Sequence, residues 1–246
     1  MAGKTWSQRL AGVARVLGIG GLAAALIGTT LARYDLIPKM TGFMGLTFGI
    51  LAALLALVIG IIALLIAWRR PAPGAVRRSL TGVIPAAVLL GFVLSIVVPA
   101  SKYPPIHDAS TDLADPPAFQ VLKVRKDNLV GVETVENWRA IHAKAFPDIK
   151  TITLDKPVAA VIADAEKLAE ERGWTVAKVD PAQGRLEATA YAAWIRFNDD
   201  VVVRARPTAN GKGSIVDMRS VSRVGVGDLG YNANRVKAFL ADLKAQ

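Results

Sequence analysis

Three stretches of the chain carry no charged side chain: residues 16–32, 40–68 and 79–101. The hydrocarbon core of a bilayer, about 30 Å thick, is crossed by roughly 20 helical residues. The second run, 29 residues long, exceeds that need and the third, at 23, meets it. The first reaches a full span once the turn before it, containing Arg15, joins in. The pattern predicts three transmembrane helices at about 13–32, 43–68 and 79–100, within a membrane region covering 1–101. Beyond that point the long apolar runs stop, and shorter alternating segments separated by Gly, Pro, Asn and Asp take over.

The stretch 102–117 is rich in Pro, Asp, Ser and Thr and reads as an extended linker, because Pro104-Pro105 and Pro116-Pro117 cannot continue a helix. Residues 118–246 divide into alternating elements. A short helix is predicted at 133–145, carrying Trp138, and a short strand at 151–154. Asp155 then caps a helix that runs to Arg172 and stops at Gly173, with Val161, Ile162, Ala165 and Leu168 on its apolar stripe. Four strands follow at 175–179, 185–197, 201–206 and 214–222, with turn chemistry between them, including Asn198-Asp199. Connections this short imply antiparallel neighbours. A last helix is expected from about Asp228, as N-cap, to Leu243. The fold class is a membrane protein: three N-terminal transmembrane α-helices plus a C-terminal α+β domain, an antiparallel sheet with helices on one face.

Charge refines this picture. The formal net charge is +10, but residues 1–100 hold nine basic side chains against the single acid Asp35, while the remainder holds twenty-one basic against nineteen acidic. A nucleic-acid reader would carry its basic excess on the soluble domain, so nucleic acid is not an expected partner. Lys4, Arg9 and Arg15 precede the first span, and Arg69, Arg70, Arg77 and Arg78 lie between the second and third. The positive-inside rule then places both segments in the cytoplasm of a bacterium and everything after Ser101 across the inner membrane, in the periplasm. No span holds a charge in its apolar core, which disfavours a transporter or proton relay. Small residues recur at helix-packing spacing, Gly45 with Gly49 forming a strict GxxxG. The chain has no cysteine, which excludes disulfides, thiolate metal sites and a cysteine nucleophile.

Candidate chemistry is sparse. His107, Asp108, Asp112 and Asp115 gather in the linker and carry donors for a divalent ion, but no EF-hand spacing accompanies them; the competing reading is side chains that satisfy the extended backbone around them. The two histidines, His107 and His142, come without a Gly-x-Ser-x-Gly elbow. Asp199 and Asp200 are adjacent, so on a strand they point to opposite faces. The arginines form the most informative group. Arg204 and Arg206 share one strand face, Arg219 and Arg223 share a face on the next strand, and Arg235 sits on the closing helix. They could gather near the glycine loop 225–230 as an anion site, or pair with Asp199, Asp200, Asp217 and Asp228 as a structural network.

Phe197-Asn-Asp-Asp-Val201, followed by Val216-Asp-Met-Arg-Ser-Val-Ser-Arg-Val-Gly-Val-Gly-Asp-Leu-Gly-Tyr-Asn-Ala-Asn-Arg235, resembles the C-terminal signature of the domain of unknown function 1499 family. Pro105-Ile-His-Asp-Ala-Ser-Thr-Asp-Leu-Ala-Asp-Pro-Pro117 is similar to the N-terminal motif of its proteobacterial branch. The resemblance spans most of residues 104–242. It implies a fold and an envelope or organellar setting, and no reaction. Many relatives carry a cysteine pair near the start of the domain, which this chain lacks.

These observations lead to an expected function. The chain reads as a non-enzymatic protein anchored in the inner membrane, whose periplasmic domain binds or stabilises another envelope component or a membrane complex. Its partners are the lipid bilayer and an envelope protein, with no cofactor. A second reading is a binder of an anionic or lipid-like small molecule near Arg219 and Arg223, and a third is a periplasmic hydrolase.

Overall fold

The computed structural model describes residues 4–246 and divides into two compact units, one of the helices up to Pro99 together with Trp194–Arg196, and one of Ala100–Ala193 with Phe197–Gln246. In the first unit, α1 (Trp6–Arg33), α2 (Lys39–Arg69) and α3 (Ala75–Ala100) are each long and apolar enough to cross a membrane. Helix α1 starts earlier than the apolar run because Thr5 nucleates it with a capping box. The Gln8 N–H donates to Thr5 Oγ1 at 3.3 Å, and the Thr5 N–H donates to Gln8 Oε1 at 3.0 Å.

Small residues bring these helices together. A Cβ on Gly21 would stand 2.8 Å from the Gly49 carbonyl oxygen, and one on Gly45 would stand 3.2 Å from the Ala24 carbonyl oxygen. Gly18 and Gly82 would collide in the same way between α1 and α3. The GxxxG segment is therefore used inside the unit, where it lets α1 and α2 approach backbone to backbone. Ala25, Ala53, Ala56 and Ala86 fill the seam with Leu89, while Leu, Val, Ile and Phe side chains face outward, as helices solvated by lipid require.

The second unit is built on one antiparallel sheet. Its elements are β1 (Asp108–Ser110), α4 (Val135–Ala145), β2 (Ile152–Leu154), α5 (Val158–Glu171), β3 (Thr175–Asp180), β4 (Arg185–Ala192), β5 (Phe197–Pro207), β6 (Ser214–Ser222) and α6 (Tyr231–Ala245). Strand order is β1-β6-β5-β4-β3, with β2 pairing further along β6. Leu186, Val203 and Met218 stand abreast in neighbouring strands. They meet Ile162 and Leu168 of α5 and Val236, Phe239 and Leu243 of α6 in one core. Trp174 stacks on Phe239 with ring centroids 5.0 Å apart. The unit is thus an α+β fold whose sheet buries an apolar face under helices.

Three local expectations are corrected. Residues 102–117 are not a free linker: Asp108–Ser110 forms β1, registered against Arg219–Val221 of β6, and His107 to Thr111 are all buried. The turn between β4 and β5 lies at residues 193–196, with Ala193 and Arg196 at φ 56° and 61°, and Asn198-Asp199 lies inside β5. Arg196 accordingly occupies the turn, while charge partners described below hold the two aspartates in the strand. Helix α5 has Pro157 at its N-cap and no side-chain cap, so Asp155 does not cap it; the fixed φ of proline opens the helix instead.

Candidate functional site

Antiparallel register decides which side chains meet. Asp200 lies opposite Thr189 and Val221, and Val221 lies opposite Asp108; one step along, Arg219 faces Val202 and Ser110. Because side chains alternate, Asp108, Glu187, Asp200, Arg204, Arg206, Asp217 and Arg219 all emerge on the face turned away from the helical core. The unit therefore has one largely apolar sheet face and one largely ionic face.

The ionic face combines two closed pairs with one shared cluster. Arg219 meets Asp108 at two points, Nε to Oδ1 at 3.0 Å and Nη2 to Oδ2 at 2.6 Å. Arg223 closes on Asp200, with Nη2 2.7 Å from Oδ1, and also donates to Thr189 Oγ1 at 2.9 Å. The bonds to Asp200 raise the Arg223 pKa above the ordinary arginine range. Arg204 Nη2 reaches Asp217 at 3.1 Å and Asp112 at 3.2 Å, while its Nη1 reaches Asp115 at 2.8 Å. Arg206 shares Asp217, at 2.7 Å. Planar guanidinium groups make such two-point contacts better than lysine could.

Glu187, fully buried on the same face, escaped sequence reasoning. Its carboxylate accepts the N–H groups of Gln120, Val121 and Leu122 at 2.6, 3.0 and 2.9 Å. Three consecutive backbone donors from an irregular segment compensate the buried charge, with Arg185 Nη1 3.8 Å away on the same strand.

On the helical side a second cluster forms around Asp199. Its Oδ2 accepts from Arg235 Nη2 at 2.7 Å, and Arg235 Nη1 donates to Ser220 Oγ at 2.9 Å and to Asn232 Oδ1 at 2.6 Å. Asn232 in turn donates to Ser222 Oγ and to the His107 carbonyl. Among the described residues, Asp228 pairs with no arginine. Its carboxylate accepts the N–H groups of Gly230 at 2.9 Å and Asn232 at 2.6 Å, where α6 begins. Burial pushes its pKa up, against the pull of those two donors.

The residues considered for a metal separate into different roles. His107 contacts the Val226 carbonyl through Nδ1 at 3.0 Å and Asn128 Oδ1 through Nε2 at 3.2 Å. Asp108 serves Arg219, and Asp112 accepts the N–H groups of Ala114 and Asp115. Among the described residues, no group of three or more His, Asp or Glu is placed to hold a metal ion. His142 is fully buried on α4, where its Nε2 accepts the Ser110 N–H at 3.2 Å. Burial lowers its pKa to about 4, with Asp108 opposing and Lys237 assisting, so the imidazole is neutral near pH 7.

Several of these contacts converge on the loop that joins β6 to α6. Arg223 anchors its start, and the Arg223 N–H donates to the Asn198 carbonyl at 3.1 Å. His107 holds Val226, the Asp228 N–H donates to the Ile106 carbonyl at 3.3 Å, and Gly227 packs on Pro105. Gly131, at φ 86°, leaves room for the Val226 side chain, which a Cβ would strike. Leu229 sits at φ 55°, in a left-handed conformation that costs a non-glycine residue roughly 1–2 kcal/mol. Yet Val224, Val226 and Leu229 remain 40%, 44% and 44% exposed.

Residues 108–243 match the family model described as Protein of unknown function (DUF1499). The chain belongs to the DUF1499 family. The matched region opens at the first residue of β1 and ends within α6, so it contains both partners of the Arg219–Asp108 pair, the buried Glu187 and the anchored loop. No curated protein matches the chain.

Proposed function

We propose that this DUF1499 protein is a non-enzymatic, membrane-anchored interaction protein of the bacterial inner membrane. In this reading the α+β unit lies in the periplasm and docks another envelope protein through the loop spanning residues 224–231. The observation that carries the proposal is the contrast between how firmly that loop is held and what it displays. Ion pairs, backbone bonds and glycine contacts fix its course, and Leu229 is kept in a strained conformation. What the loop then presents to solvent is apolar: Val224, Val226 and Leu229. Strain that persists at an exposed position points to a role in recognition, and preorganising an apolar loop lowers the entropy cost of binding a protein partner.

The anionic-ligand reading at Arg219 and Arg223 has less support. Both guanidinium groups are already closed on carboxylates, Asp108 and Asp200. The hydrolase reading is weaker again, because both His107 nitrogens are engaged by Val226 and Asn128, while Ser220 and Ser222 bond to Asn232. Extraction of the full-length protein from native membranes in mild detergent tests the proposal. A stoichiometric protein partner that Val226→Asp releases supports it, and a solitary monomer in the unmodified protein overturns it.

A further inference from the structure

The helical unit carries a feature that partner docking does not use. An open groove of about 1060 Å³ runs along α1 and is bordered by Arg78 of α3. Lys4, Arg9, Arg15 and Arg78 supply its cations, Arg15 being the last of them along α1. Val16 and Ile19, both exposed, form an apolar wall beyond Arg15, and exposed Val13 lies among the cations. The floor is open at Gly12 and Gly20, where an added Cβ would meet nothing within 4 Å. These two glycines therefore differ from Gly18 and Gly21 on the same helix, which close helix contacts require.

The charge on the rim has no counterpart in the unit. The only acid among the first hundred residues is Asp35, and it is paired with Lys39 at 2.8 Å, near the opposite end of α1. At 1.5 Å per residue, Arg9 and Asp35 are separated by roughly 40 Å of chain along the helix. Among the described residues, no carboxylate forms an ion pair with any of the four rim cations; Arg9 rests over the Trp6 ring at 5.9 Å. Arg15 marks the point where the apolar run of α1 begins, so the cations stand at the level of lipid headgroups and the wall from Val16 to Ile19 runs into the hydrocarbon.

We infer that this groove binds an anionic phospholipid. Its phosphate is held by Arg15 and Arg78, with Arg9 and Lys4 extending the cationic surface, so that the headgroup lies over Gly12 and an acyl chain over Gly20. A cationic rim continuous with an apolar trough matches the two parts of that molecule, and a phosphate accepts bidentate arginine contacts. A zwitterionic lipid would leave the excess positive charge unbalanced.

Native mass spectrometry of the full-length protein, released from bilayers of equal phosphatidylcholine and phosphatidylglycerol, tests the inference. The expected result is preferential retention of phosphatidylglycerol. Each basic side chain near an anionic surface is worth about fivefold, so the double variant Arg15→Gln, Arg78→Gln lowers retention roughly 25-fold. A second variant, Gly12→Leu with Gly20→Leu, keeps every charge and fills the floor, and it also lowers retention. Equal retention of the two lipids overturns the inference. So does loss in the arginine variant alone, which would mean diffuse attraction without a built groove.

Discussion

Arg219 and Asp108 stand 111 residues apart in the chain and meet in a two-point ion pair, with contacts of 3.0 and 2.6 Å. The pair joins the edge strand β1 to β6, and Asp108 also accepts from Asn128 at 2.7 Å. Asp108 is 4% exposed, so its charge is tolerated only because guanidinium and amide donors surround it.

Removing the partner should therefore be costly. Arg219→Ala leaves a buried carboxylate uncompensated and is expected to destabilise the α+β unit by roughly 3–5 kcal/mol. Arg219→Lys recovers only part of this, because an ammonium cannot make both contacts. Amide hydrogen exchange on the full-length protein reads the effect as faster exchange across β1 and β6. Unchanged protection in Arg219→Ala would refute the structural role.

A pH dependence follows from His142. Its folded pKa is about 4 against an ordinary 6.5, so between those values the unfolded chain binds a proton that the folded one refuses. Stability is complete above pH 6.5 and is lost as the pH falls towards 4, by roughly 3 kcal/mol. The urea midpoint of the unit, followed by pulse proteolysis in the full-length protein, should fall through that window. His142→Gln should lose that component of the slope, and an identical slope in the variant would contradict the assignment.

Leu229 offers a test of strain. Asparagine tolerates the left-handed conformation that leucine resists, so Leu229→Asn is expected to stabilise the unit by about 1 kcal/mol. The same substitution should weaken partner binding, because it removes an exposed apolar contact. A variant that is destabilised, or more stable with full partner binding, would separate strain from recognition and count against their link.

Much of this architecture was legible from the chain. Charge-free runs as long as residues 40–68 have few homes other than a bilayer, and the alternation that puts Arg204 with Arg206 on one face follows from the pleat. Asp108 was not legible in its true role. A three-residue strand is too short to show a period, and its flanking prolines suggest a linker. Asn198-Asp199 carries turn chemistry, yet Arg223 and Arg235 hold Asp200 and Asp199 within β5. Glu187 was not legible because its close donors are backbone groups of an irregular segment, while its side-chain partner Arg185 stands 3.8 Å away.

The membrane orientation proposed from the basic loops has its own test. A reporter active only in the periplasm should work when fused after Gln246 and stay silent when inserted at residues 70–78. The opposite pattern would invert the proposed topology.

The central claim is that the loop between β6 and α6 touches a protein partner. A photoreactive amino acid at Val226 or Leu229, activated in native membranes, tests it most directly, with Lys244 on the exposed end of α6 as the control position. One discrete adduct of defined mass is expected from the two loop positions and none from the control. No adduct at either loop position, or the same adducts at Lys244, would contradict it.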